Sequence, residues 1–291
     1  MMRPYLAISI NGGGALGIGP LAFMERLESD VGRGLNEIGV AFAGTSTGSI
    51  IAGGFDEGYN AHELHKLYRE NLKKIFTKYS WYKRLKPSCP TYDNSYLKEL
   101  LKKKFKGKVS DWKKPIYIPT THTNGDSVEK VWDLGDTKVD KWFAILTSTA
   151  APTFFDTIVQ DGQSYVDGGM WANSPIAVLN AGLKRSEYVG KLRILSFNTG
   201  MDTPNTLKGN QSLIGWATYL KDEWIARAGK SNDYEVIADL GAENVAIASP
   251  KHSSKIAMDK TDDDTLNKVE KIWTDYYDAN REYFKKFVKC Y

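Results

Sequence analysis

The sequence predicts an α/β fold, a mostly parallel central sheet flanked by helices, on three observations. Short β-branched or apolar runs alternate with longer helical patterns through the first half of the chain. Two strand-to-helix turns in that half are rich in glycine and small residues, at Asn11–Gly17 and Gly44–Gly48. The C-terminal stretch carries apolar residues at helical spacing behind an acidic cap.

The first strand is Tyr5–Ile10, and Pro20, favoured in a first helical turn, opens a helix over Gly19–Ser29. A second strand, Ile38–Ala43, feeds the apolar helical run Gly48–Glu57. Helical patterns follow at Ala61–Phe76 and Ser95–Lys104, then a strand at Pro115–Thr121, helices at Lys141–Ser148 and Pro175–Leu183, and a strand at Leu192–Phe197. Asp262-Asp263-Asp264-Thr265 caps the last helix, whose stripe of Leu266, Val269, Ile272, Trp273, Tyr276 and Tyr277 reads as core packing. With no internal repeat and no low-complexity linker, residues 1–291 read as one domain with insertions on loops.

A composition of 42% hydrophobic, 25% charged and 12% aromatic residues, with mean hydropathy −0.41, is that of a soluble globular protein and excludes disordered and collagen-like classes. No apolar run approaches the roughly 20 residues that span a bilayer, and Met1-Met2-Arg3-Pro4-Tyr5 lacks a signal-peptide stretch. The expected address is the cytoplasm, with membrane contact only at a surface. Cys89 and Cys290 lie far apart without neighbouring ligands, so neither a disulfide framework nor a structural zinc is expected.

Charge is uneven. Between Lys66 and Lys114 there are 16 Lys or Arg against 4 Asp or Glu, a net +12, while the whole chain is only +4 and the remainder therefore −8. Nine aromatics, among them Phe76, Tyr79, Trp81, Tyr82, Tyr92, Tyr96, Phe105 and Trp112, are interleaved there. A basic, aromatic-rich insertion around 66–114 suits an anionic membrane surface. The same pattern also suits nucleic acid, or a solvated basic helical face with buried aromatics.

The chemistry-bearing residues begin at the first glycine-rich turn. Gly12, Gly13 and Gly14 leave backbone N–H groups open to an anion or a developing oxyanion, and the helix N-terminus adds favourable potential. Gly12, Gly14 and Gly17 also satisfy the dinucleotide pattern GxGxxG. That pattern requires an acid at the end of the second strand to hold a ribose, and Ile38–Ala43 ends instead in Gly44-Thr45-Ser46-Thr47-Gly48, which argues against a dinucleotide. This second turn is a GxSxG between an apolar strand and the apolar run Ile50-Ile51-Ala52, the setting of a nucleophile elbow. Gly44 and Gly48 give the sharp turn its room, and the following helix points its dipole at Ser46.

A serine nucleophile needs a base. His62 and His65 lie on a helix beside Glu63, His122 ends a strand, and His252, in a Ser/Lys-rich loop, is where the histidine of a Ser, acid, His order would fall. None has a supporting context. The alternative base is Asp167, where Gly168 and Gly169 allow a tight turn that leaves the carboxylate accessible; Asp-Gly-Gly is also an ordinary turn.

Together the glycine-rich loop, the GxSxG elbow and Asp167-Gly168-Gly169 resemble the patatin-like phospholipases in order and spacing. Ser148–Phe155, Asp167–Pro175, Leu195–Gly200 and the tail Met258-Asp259-Lys260-Thr261 resemble that family too, so the likeness runs over nearly the whole chain. It implies a three-layer patatin-like fold and a Ser46–Asp167 dyad that hydrolyses acyl esters of phospholipids or other lipids through an acyl-enzyme. The oxyanion hole would be Gly12–Gly14, with the Thr47 N–H a further donor. No metal or cofactor is implied, nor a nucleic-acid partner, and the membrane would be met peripherally. A pseudoenzyme that binds lipid surfaces, an acyltransferase and a small-ester hydrolase are the alternatives. Two positions depart from the family: Leu16 replaces its usual Lys or Arg, and Asn198 replaces a glycine.

Overall fold

In the computed structural model, which describes residues 4–86, 88–125, 127–184, 186–188, 190–200, 212, 215–216, 229–253 and 255–289, strand β1 (Tyr5–Ile10) sends Leu6, Ile8 and Ile10 to one face and Ala7 to the other. Burial on both faces at period two is what a strand covered by helices on each side requires. A 3-10 turn at Gly14–Gly17 leads into α1 (Ile18–Val31), a single turn α2 (Leu35–Ile38), β2 (Gly39–Gly44), α3 (Thr47–Glu57) and α4 (Ala61–Ile75). Next come α5 (Ser95–Lys104), β3 (Ile116–His122), β4 (Glu129–Trp132), α6 (Lys141–Ser148), β5 (Ile158–Gln160), β6 (Gln163–Asp167) and α7 (Gly169–Ala172). The chain closes with α8 (Ile176–Leu183), β7 (Leu192–Phe197), α9 (Lys230–Leu240), β8 (Val245–Ala248) and α10 (Asp263–Val288).

Among the described residues eight strands form one sheet in the order β5-β6-β3-β2-β1-β7-β8, with β4 paired to β3. The run β3-β2-β1-β7-β8 is parallel, whereas β4 and β6 pair antiparallel with β3 and β5 pairs antiparallel with β6. The sheet is therefore mixed, with a parallel body and an antiparallel arm that the sequence pattern did not announce. Strands of three to five residues, partly exposed, carry too little periodicity to read. The second strand also starts one residue later than expected, because Ile38 is buried as the end of α2.

Helices α1, α3, α4, α5, α6 and α10 cover one face of the sheet and α8 and α9 the other, giving three layers. Phe23 is at the centre of the larger layer, edge-on to Phe197, Trp273, Tyr277 and Phe284 at ring separations of 4.8 to 6.1 Å. Asp262 caps α10 by accepting the Thr265 N–H at 2.9 Å, and the predicted stripe is core, with Ile272 and Tyr276 at its partly buried margin. No helix among the described residues is long and apolar enough to cross a membrane. Cys89 is a free thiol; Met1–Arg3 and Cys290 lie outside the described residues.

Candidate active site

The loops that follow β1, β2, β7 and β8 meet beyond the carboxyl ends of the parallel strands, the usual place for a site in an open α/β sheet. Ser46 stands between β2 and α3 with φ 53° and ψ −123°, a conformation that non-glycine residues rarely adopt. The elbow is tight because its flanks touch backbone: a Cβ on Gly48 would lie 2.1 Å from the Ile10 carbonyl oxygen, and one on Gly44 2.1 Å from that of Gly48. The Ser46 N–H donates to Ser148 Oγ at 3.0 Å, and that hydroxyl donates to the Pro119 carbonyl at 2.6 Å. Thr45 Oγ1 donates to the Ala172 carbonyl at 2.6 Å. Below the turn, buried Tyr68 donates to the Thr47 carbonyl at 2.7 Å, and burial pushes its phenol well above the usual range.

The glycine-rich loop is tied at both ends. The Asn11 N–H bonds the Phe197 carbonyl at 2.8 Å, the Gly12 N–H the Asn173 carbonyl at 3.1 Å, and the Ala15 N–H the Met258 carbonyl at 2.7 Å. Thr199 Oγ1 donates to the Gly12 carbonyl at 2.9 Å. The expectation that Gly12 donates to an oxyanion is thereby corrected, since its N–H is already committed to Asn173. Gly12 instead keeps space open, as a Cβ there would lie 3.1 Å from Ser46 Cβ and 2.5 Å from Asn173 Oδ1. The N–H groups of Gly13, Gly14 and Thr47 donate to no acceptor among the described residues. Leu16 is turned into the core, 8% exposed, so the position that departs from the family pattern serves packing. Asn198 ties β7 to the end of β8, donating to Ser249 Oγ while its own Oδ1 accepts the Gly200 N–H at 3.0 Å.

Asp167 ends β6, in the antiparallel arm, and is buried. Its N–H donates to the Ala150 carbonyl at 2.9 Å and its carbonyl accepts Thr121 Oγ1 at 2.8 Å. Burial pushes its carboxyl up to about 6, against the opposing pull of the Ser46 hydroxyl and of the Gly169 N–H, which lies 2.7 Å from Oδ1. Gly168 lies flat on β3, where a Cβ would meet the Pro119 carbonyl at 2.2 Å. Ser46 and Asp167 thus meet around Asn173, whose Oδ1 lies near both the Gly12 and the Gly169 turns, and a single segment supports both, through Ser148 and Ala150. A serine beside a buried carboxyl pushed up by burial, with N–H donors that have no acceptor among the described residues nearby, can perform nucleophilic acyl transfer.

The histidines are occupied elsewhere. His62 and His65 bond Glu25 at 2.7 Å each, and His65 also bonds Glu270 at 2.7 Å. His122 stacks on Tyr165 at 4.9 Å. His252 is buried against Gly200, and no hydrogen bond among the described residues joins a histidine to Ser46 or Asp167. No group of three or more His, Cys, Asp and Glu among the described residues is placed to hold a metal ion. Ser148, Asn173, Thr199 and Met258 are site-building residues that the sequence did not single out, although each lies in a segment that resembles the family. Nothing in their side-chain chemistry marks them, because their task is to bond backbone.

The family model for patatin-like phospholipases matches residues 8–180, more than half of the chain and a span that includes all three motifs. The chain is 28% identical over 180 residues to a cGAMP-activated phospholipase of Pseudomonas aeruginosa, covering 59% of this chain and 54% of that one. It is 29% identical over 194 residues to a cGAMP-activated phospholipase of Escherichia coli, covering 58% and 52%, so it spans about half the length of these relatives. Patatin-like protein 2 of rice is 25% identical over 299 residues, covering 84% and 72%. Among solved structures, VipD from Legionella pneumophila aligns with a TM-score of 0.47 at 12% identity, covering 96% of this chain and 67% of that one.

Proposed function

The chain belongs to the patatin-like phospholipase family, and we propose that it is a serine hydrolase that releases ester-linked fatty acids from glycerophospholipids, a phospholipase of the A type. The observation that carries this reading is the strained Ser46 turn and the buried Asp167 carboxyl brought together around Asn173, with burial pushing that carboxyl up to about 6. Near neutral pH a carboxylate so tuned is ionised yet basic enough to share a hydroxyl proton. Asp167 takes the proton as Ser46 Oγ bonds the ester carbonyl carbon. The N–H groups of Gly13, Gly14 and Thr47 stabilise the oxyanion. The proton returns from Asp167 to the departing alcohol oxygen, leaving an acyl-serine and a lysolipid. Water, deprotonated by Asp167, then releases the fatty acid and restores Ser46.

The lipid would be met at a membrane surface, and a cytoplasmic address belongs to the same proposal. Relatives named as phospholipases support a lipid ester as the substrate. The test is a fluorophosphonate probe together with a panel of phospholipids, lysophospholipids and neutral glycerides read by mass spectrometry. Wild type is expected to take the label and release fatty acid from a phospholipid, and Ser46→Ala to do neither. No labelling and no fatty acid from any lipid would remove the proposal.

A further inference from the structure

Cations of the basic stretch are spread over α4, α5 and the loop between them. Around α4 and α5 four are paired, Arg69 with Glu270, Lys73 with Asp263, Lys102 with Glu99 and Lys108 with Asp140, while Lys66, Lys74, Lys98, Lys103, Lys106 and Lys113 are exposed with no ion pair among the described residues. In the loop between those helices Lys78, Lys83, Arg84 and Lys86 are exposed and pair with no carboxylate among the described residues. Trp81, Tyr82 and Leu85 stand among them, exposed by 71, 60 and 72%, while Tyr68, Tyr92, Phe105 and Trp112 of the same stretch are buried. Among the described residues of 66–114, exposed cations and large exposed aromatics come together at this tip.

We propose that the tip Trp81–Lys86 anchors the protein in the headgroup region of an anionic bilayer; the proposal rests on the reading of the chain as a phospholipid hydrolase. Trp and Tyr settle at the membrane interface, where a ring can be apolar on one side and wet on the other. A Leu enters the acyl boundary, and Lys and Arg extend along it to meet anionic headgroups. An exposed Trp, Tyr and Leu gathered at one loop end mark an interaction surface.

The tip is presented on a fixed base. Lys78 and Tyr92 form an antiparallel bridge, the Tyr79 N–H bonds the Thr91 carbonyl at 3.1 Å, and the Asp93 N–H bonds that of Thr77 at 3.0 Å. Tyr79 donates to Asp156 at 2.6 Å and Tyr92 to Asp259 at 2.7 Å. A 3-10 turn over Lys83–Leu85 closes the end. This base also grips the site: the N–H groups of Thr91 and Tyr92 bond the Thr153 and Phe154 carbonyls at 3.0 and 2.7 Å, on the segment that starts at Ser148 and Ala150. Asp259 follows Met258, whose carbonyl holds the glycine-rich loop. Met258 and Met170, 36 and 46% exposed, adjoin that loop and the Asp167 turn. A bilayer met by the tip would face the same loops that carry the dyad.

The experiment is sedimentation with phosphatidylcholine vesicles, with and without phosphatidylserine, for wild type and two triple variants. Trp81→Ala with Tyr82→Ala and Leu85→Ala is expected to weaken partitioning by about tenfold or more. Lys83→Gln with Arg84→Gln and Lys86→Gln is expected to weaken it on phosphatidylserine vesicles by on the order of a hundredfold, less as salt is added. Both variants should keep wild-type circular dichroism and wild-type turnover of a soluble short-chain ester. Partitioning equal to wild type in either variant would overturn the anchor, as would wild-type indifference to phosphatidylserine. Tighter binding of wild type to a single-stranded oligonucleotide than to the vesicles, lost in the same variants, would overturn it too. If wild type cleaved no ester at all, the functional reading would fall while the partitioning result stood by itself.

Discussion

The proposed nucleophile arrives from the parallel body of the sheet and the proposed base from its antiparallel arm, and the two are held by different means. Ser46 is fixed by its own backbone: a left-handed φ of 53°, flanks at Gly44 and Gly48 that admit no side chain, and an N–H tied to Ser148. Asp167 sits at the end of an ordinary strand, and what makes it special is its surroundings, burial opposed by one hydroxyl and one N–H. Backbone strain sets where the nucleophile points, whereas desolvation sets how strong the base is. The two should therefore fail differently when altered.

The largest effect is expected from Ser46→Ala, which should lower ester turnover by about 10⁴-fold or more with the melting temperature unchanged, because the side chain does chemistry and the main chain does the holding. Asp167→Asn should cost roughly 10³-fold or more in turnover and yet stabilise the protein. Its folded carboxyl binds a proton more tightly than the unfolded one, about 6 against 3.8, so the group's favourable contribution is full below 3.8 and is lost as pH rises through 6. Above that range the buried charge costs on the order of 3 kcal/mol. Urea unfolding should find the Asn variant more stable than wild type above pH 6, with the gap closing toward 3.8.

Gly48→Ala sharpens the other side of the contrast. Its methyl would press on the Ile10 carbonyl at 2.1 Å, and unfolding should become easier by about 3 kcal/mol, visible as lost soluble yield or an early thermal transition. Ser148→Ala is the mildest. It strips the Ser46 N–H and the Pro119 carbonyl of their shared partner, and about 1–3 kcal/mol of stability with roughly a tenfold fall in kcat, KM being little changed, is the expected result.

The elbow was legible because its GxSxG spacing between an apolar strand and an apolar helix lies within one short window, although the demand at Gly48 comes from the Ile10 carbonyl of β1. The role of Asp167 was less so: its burial comes from packing against β3 and α6, and the Gly168–Gly169 turn and the poorly placed histidines made it a candidate that chiefly the family resemblance supported. Ser148 acts on a residue 102 positions away and Thr199 on one 187 away, through backbone atoms that carry no residue-specific signature. Gly12 shows the same limit. Its glycine was readable, but the loss of its N–H to Asn173 is a long-range event. Four parallel strands announced themselves by apolar runs, whereas the four-residue parallel edge strand β8 and the antiparallel arm, short and half in water, did not.

The dyad itself is most directly tested by the pH dependence of the rate at which a fluorophosphonate labels Ser46. The account predicts a rate that rises through pH 6 to a plateau in wild type and in His252→Ala, and a rate at least about a hundredfold lower without that inflection in Asp167→Asn. Wild-type labelling in Asp167→Asn, with labelling abolished in His252→Ala, would contradict it.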